Sequence, residues 1–243
     1  MTPWTAVNSE GYPAPAALAV DTVVLTVRDG ALVALAVRRD DGTIALPGGF
    51  VGPQEEPQAT ARRKLREKTG LRRNYLEQLG AFADPGRDPR GWIPSVAYLA
   101  LVPPDTDPGD PEALWIPARG RRLLAYDHRA ILRAAVARLE GKLWWSNIAV
   151  GILPGDFTMS EARRVYEAVA GVRYDGATFA RDLKATGLVL ATGDRRQGRG
   201  RPGALYRFAE RTPAWGAGHR KRVTAVRRAM ATPAADSTRA ISG

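Results

Sequence analysis

Between Gly49 and Leu71 the sequence reads GFVGPQEEPQATARRKLREKTGL, in which Glu55 follows Gly49 in a loop and Arg63, Lys64, Glu67 and Lys68 lead into Gly70. Positions 64, 67 and 68 are spaced i, i+3 and i+4, so on a helix their side chains project from one face. Carboxylates at that spacing would hold magnesium against a phosphoanhydride and help to activate water. Ammonium groups there bind phosphate oxygens as point charges and supply no hard oxygen ligand. With Glu67 between two lysines, the pattern predicts a pocket that holds a diphosphate and does not cut it. Glu55 and Glu56 leave room for one weakly held magnesium. A plainer alternative is an amphipathic surface helix, with Ala61 and Leu65 in the core and Arg63 or Lys64 paired with Glu67.

The elements around this stretch must bring it to a sheet. After a Pro- and Ala-rich lead over residues 1–17, VDTVVLTVRDGALVALAVRRDD reads as a hairpin turning at Asp29-Gly30, a pair that tolerates positive φ. Further strands are expected around 76–83 and 93–102, joined by a charged loop, with a short one in EALWIPA. Strands on both sides of a helix predict an α/β sandwich with a mixed sheet. Apolar residues at 131, 132, 135, 136 and 139 form a helical stripe that closes a first domain, residues 18–145. The apolar WWSNIAVGILPGDF that follows reads as an inter-domain or dimer surface, or simply as core.

Composition narrows the partners. The chain has 243 residues, enough for two domains, and no cysteine, which excludes disulfides and thiolate zinc sites. His128 and His219 are too few and too distant for a metal cluster. No signal-like start or membrane-spanning apolar run of about twenty residues is present, so a soluble protein of the reducing cytoplasm is expected. Charge is divided unevenly: residues 1–120 carry 13 Lys and Arg against 15 Asp and Glu, and residues 121–243 carry 23 against 10. The second half has the electrostatic footprint of a polyanion binder.

Within that half, residues 146–209 read as a winged helix. Thr158 and Glu161 form a capping box, Ala162, Val165, Tyr166 and Val169 a core-facing stripe, and Gly171 a stop. A second helix begins near Asp175, buries Phe179 and Leu183 and ends at Gly187. The strand LVLAT, the loop GDRRQGRGRPG and the strand ALYRF complete a basic hairpin. The second helix is the one that enters a DNA major groove, presenting Thr178, Arg181, Lys184 and Ala185. Arg195, Arg196, Arg199 and Arg201 on the wing would meet phosphates or a minor groove. The basic tail, 210–243, is expected to be partly disordered and to add nonspecific phosphate contacts.

The spacing G-x5-E-x7-R with a closing Gly-aliphatic pair resembles the Nudix box, with lysine at two positions that hydrolases fill with acids. Followed by a winged helix, it resembles the Nudix-related transcriptional regulators of NAD metabolism, the NrtR type. The likeness covers residues 18–209 and is strongest in LPGGFVGPQEE with RRKLREKTGL, in GRDPRGW and in GRGRPGALYRF. It implies a Nudix-type α/β/α sandwich with a winged helix-turn-helix, and a homodimeric repressor of NAD-synthesis genes that binds an operator in double-stranded DNA. It also implies that ADP-ribose is the effector and that no cofactor is needed. Carried over, Glu55, Lys64, Glu67 and Lys68 would line the diphosphate pocket, with Arg38, Arg39, Arg87 and Asp88 as further contacts. Two rival readings are an active ADP-ribose pyrophosphatase with a basic accessory domain, and an architectural DNA binder with a Nudix scaffold.

Overall fold

Asp29 and Gly30 take φ of 50° and 74°, the double left-handed turn that matches the twist of a hairpin. It folds β1 (Ala19–Arg28) back on β2 (Ala31–Arg38). The computed structural model describes residues 10–11, 17–69, 75–196 and 203–211, with backbone alone for Lys68 and Thr69. In sequence order β3 (Ile44–Ala45), β4 (Gly48–Phe50), α1 (Pro57–Thr69), β5 (Tyr75–Phe82), β6 (Ser95–Leu101), β7 (Ala113–Pro117) and α2 (His128–Lys142) follow.

Seven strands make one mixed sheet in which β1 runs parallel to β6 and antiparallel to β4. Nine of the ten residues of β1 are buried, as expected for a central strand covered on both faces. On one face α1 inserts Ala61 and Leu65 among Val20, Val24, Leu35 and Tyr98. The α2 stripe of Ile131, Leu132, Ala135, Val136 and Leu139 is buried throughout. Arg138 ties that helix to β5 through Glu77 Oε1, at 2.6 Å, and the Leu79 carbonyl.

The chain divides into two compact units, the first ending at Arg138 and the second running from Leu139 and also taking in Asp29–Ala31. In the second unit a short 3-10 turn, Ile148–Gly151, precedes β8 (Phe157–Thr158), α3 (Met159–Ala170), α4 (Gly176–Ala185), β9 (Val189–Arg196) and β10 (Gly203–Phe208). The three strands pair in the order β8-β10-β9. Thr158 accepts from Glu161 N while Glu161 returns the bond to Thr158 N, and Gly171 closes α3 at φ 69°. Asp175 caps α4 by accepting from Thr178 N. The core is aromatic: Trp144 stands edge-on to Tyr166, Tyr174 and Phe179 at 5.1, 5.6 and 5.6 Å between ring centres. Trp144, half-buried, therefore packs against the aromatic core of the second unit. The wing strand runs further than its composition suggested. Arg195 and Arg196 pair with Ala204 and Gly203, although charge and glycine had read as loop from Gly193 onward. No helix among the described residues is long and apolar enough to cross a membrane.

Candidate functional site

A charged residue inside a β-branched strand needs a reason, and Asp21 on β1 has one. It is 5% exposed and accepts hydrogen bonds from Ser95 Oγ at 2.7 Å and Arg87 Nη2 at 3.1 Å. His128 faces it through Nε2, 3.2 Å from Oδ1. Because His128 Nδ1 accepts the Leu46 N–H at 2.9 Å, the ring proton is on Nε2, aimed at the carboxylate. Burial alone would raise the Asp21 carboxyl, but the His128 and Ser95 hydrogen bonds and the Arg87 charge hold it below its ordinary value. Arg87 also donates to both oxygens of Asp127, at 3.0 and 2.8 Å, and to the Ile93 carbonyl at 2.8 Å. Gly48 lies against this group: a Cβ there would stand 2.5 Å from both Asp21 Oδ1 and the Val20 carbonyl.

Above this floor opens a cleft of about 420 Å³, bounded by the end of β2, β4 and the 87–90 loop. It gathers Arg38, Arg39, Arg87 and Asp88 from the residues singled out in the sequence. Arg38 and Arg39 make long, exposed ion pairs, 3.9 Å to Glu112 and 3.4 Å to Asp41. Arg87 also borders the cleft but spends its hydrogen bonds inside the protein. Sequence reasoning missed Asp21, Phe50, Arg90, Tyr126 and His128, all of which line the same space. Asp88 grips Arg90 with two bonds of 2.9 and 2.7 Å. The Arg90 guanidinium lies over Phe50 at 5.0 Å and over Tyr126 at 5.4 Å, and Arg39 lies over Tyr126 at 5.0 Å. Tyr126 has φ 57°, a conformation disfavoured for a bulky residue and kept where the surroundings over-determine it.

The α1 residues stand apart from the cleft lining. Glu55 accepts from Arg63 Nε at 2.8 Å and Nη2 at 2.5 Å, and from Gly52 N at 3.2 Å. Glu67 is shared by Arg63 Nη1 at 3.1 Å and Lys64 Nζ at 2.9 Å. Ala61 and Leu65 are core, and both basic neighbours pair with Glu67. The Lys64 stem packs against Gly49, where a Cβ would lie 2.8 Å from Lys64 Cε. The Lys68 side chain lies outside the described residues.

The Arg63 hydrogen bonds, supported by the Gly52 N–H, hold the Glu55 carboxyl at about 2 against an ordinary 4.5. A carboxyl with a depressed folded pKa stabilises the fold above its unfolded value and loses that contribution as protons bind. Glu55→Gln should therefore lower the urea midpoint most above pH 4.5, with the gap to the parent closing as pH falls toward 2. A gap independent of pH would show that the ion pair contributes nothing.

In the second unit the exposed side of α4 presents Arg181, Lys184 and Ala185, with Thr178 half-buried, opposite buried Phe179 and Leu183. Arg181 leans on Asp182 at 2.9 Å and Lys184 lies over Tyr206 at 5.1 Å. Arg195 is exposed on β9. Arg196 is tethered within the chain, to Glu161 at the start of α3 and to the Asp156 carbonyl at 2.8 Å. Arg199 and Arg201 lie outside the described residues.

Residues 15–134 match the NUDIX domain and residues 149–208 the NrtR DNA-binding winged helix domain. Over 210 residues the chain is 34% identical to the ADPR responsive transcriptional repressor NtrR of Acinetobacter baylyi, covering 82% of this chain and 84% of that protein. The chain belongs to the NrtR family. Shewanella oneidensis NrtR, solved in complex with a 27mer DNA, is 33% identical with a TM-score of 0.71, over 79% of this chain and 93% of that one. A stretch of 95 residues, 38% of this chain, is 35% identical to the ADP-ribose pyrophosphatase of Methanocaldococcus jannaschii and covers 56% of that enzyme. The chain thus pairs a Nudix fold with a winged-helix DNA-binding unit.

Proposed function

We propose that this NrtR-family repressor binds operator DNA of NAD-synthesis genes as a homodimer and releases it when ADP-ribose enters the Nudix cleft. The observation that carries the reading is a cleft bearing the loosely paired Arg38 and Arg39, together with a Nudix box in which Glu55 and the one helical carboxylate, Glu67, are already ion-paired. Arg63 and Lys64 occupy Glu55 and Glu67, so this donor set suits a bound anion and not a divalent cation, which needs several unshared hard oxygens. Arg38 and Arg39 then attract the diphosphate, and no hydrolytic cycle follows. Arg181 and Lys184 read or grip the major groove, and Arg195 contributes phosphate contacts beside it.

In a fluorescence anisotropy titration with an operator fragment, ADP-ribose should weaken binding by roughly 5- to 150-fold, the usual reach of coupling between two sites. Unchanged affinity would remove ADP-ribose as the effector. The kinship with the Methanocaldococcus jannaschii enzyme supports a rival, a working pyrophosphatase. Incubation of the protein with ADP-ribose and magnesium or manganese should leave the nucleotide intact, and turnover of about 1 per second or more would establish the rival.

A further inference from the structure

The cleft contains a row in which cation and ring alternate, Arg39, Tyr126, Arg90 and Phe50, with each guanidinium carbon 5.0 to 5.4 Å from the neighbouring ring centre, within cation–π range. Asp88 holds Arg90 through its two hydrogen bonds, and the guanidinium carbon stands over the Phe50 ring, 5.0 Å from its centre. Phe50 ends the row. It is 44% exposed and lines the cleft, while its backbone is fixed by pairing with Ala19 of β1. A phenyl ring backed by a guanidinium and open to a charged cleft has a surface suited to another planar group. Charge suited to phosphate comes from the loosely paired Arg38 and from Arg39, at the end of the row opposite Phe50.

We infer that Phe50, held by the Asp88–Arg90 clamp, is the platform on which the planar base of a nucleoside diphosphate stacks, adding a fifth group to the row. This rests on the effector reading above and assigns recognition of the base to a side chain outside the Nudix-box anchors. Phe50 is exposed, so truncating it leaves the core intact.

Calorimetric titrations of the full chain with ADP-ribose, adenosine monophosphate and ribose 5-phosphate separate the possibilities. Phe50→Ala should weaken ADP-ribose by roughly 5- to 150-fold, the range of base–aromatic stacking, and leave ribose 5-phosphate unchanged; Phe50→Trp should retain the nucleotide. An undiminished ADP-ribose affinity in Phe50→Ala would overturn the platform and spare the effector reading. Equal losses for ADP-ribose and ribose 5-phosphate would also overturn it, by making Phe50 a contact to the sugar or a support of the cleft. A parent protein that binds adenosine monophosphate through Phe50 but ignores ADP-ribose would keep the platform and sink the effector. A parent that binds neither nucleotide would overturn both.

Discussion

Arg87→Met should destabilise the protein by about 3–5 kcal/mol, the cost of breaking a buried ion pair from one side. The guanidinium is 3% exposed and stands between Asp21, 8% exposed, and Asp127, 19% exposed. Methionine fills much of the same space, so the loss comes from two carboxylates left without their cation and an Ile93 carbonyl without its donor. Ser95 and His128 can still bond Asp21, but neither brings a permanent charge. The deficit should shrink as pH falls, because protonation discharges the orphaned pair in the variant, and a second change, Asp127→Asn, should recover part of it. Urea denaturation of the three proteins across pH measures this. A loss below about 1 kcal/mol, the range of exposed pairs, would mean that Arg87 is solvated and free to contact ligand.

Phe179→Ala is expected to cost the second unit a similar 3–5 kcal/mol. The ring is 2% exposed and packs against Trp144 at 5.6 Å, Tyr166 at 5.2 Å and Tyr174 at 5.9 Å. It anchors α4 from the side opposite Arg181, so its removal leaves a cavity under the proposed DNA-reading surface. Tryptophan fluorescence should show an earlier unfolding transition, and DNA affinity should fall although no DNA contact has been deleted. Full stability with intact DNA binding would contradict the packing described.

Local chemistry made most of the elements readable. Asp29-Gly30 announced a turn, Thr158 with Glu161 a capping box, and the stripe through Leu139 a helix, because each signal is complete within a few residues. The wing was misread at its base: arginine and glycine predict loop, yet cross-strand pairing with Gly203 and Ala204 keeps Arg195 and Arg196 in a ladder. In the cleft, Arg38, Arg39, Arg87 and Asp88 were visible as charges near suitable motifs. What each charge does was not visible, since Arg87 turns inward only because β1 and the segment before α2 bring Asp21 and Asp127 to it. Phe50 and Tyr126 carried no signal of their own. Their role depends on Arg90 arriving from a distant loop, and the left-handed backbone of Tyr126 is set by tertiary contacts.

Coupling between the effector cleft and the DNA surface has a thermodynamic signature that a nonspecific anion effect lacks. A two-fold dimer holds its recognition helices about one DNA turn apart, roughly 34 Å, so a small rotation of either winged helix spoils both half-sites. ADP-ribose can drive that rotation only as far as it prefers one arrangement over the other, and linkage makes the effect reciprocal. The deciding measurement is a calorimetric titration of ADP-ribose into free protein and into the operator complex at matched salt. Operator DNA should weaken ADP-ribose binding by the same factor, roughly 5- to 150-fold, by which ADP-ribose weakens DNA binding. Equal ADP-ribose affinities in the two states would contradict the repressor mechanism.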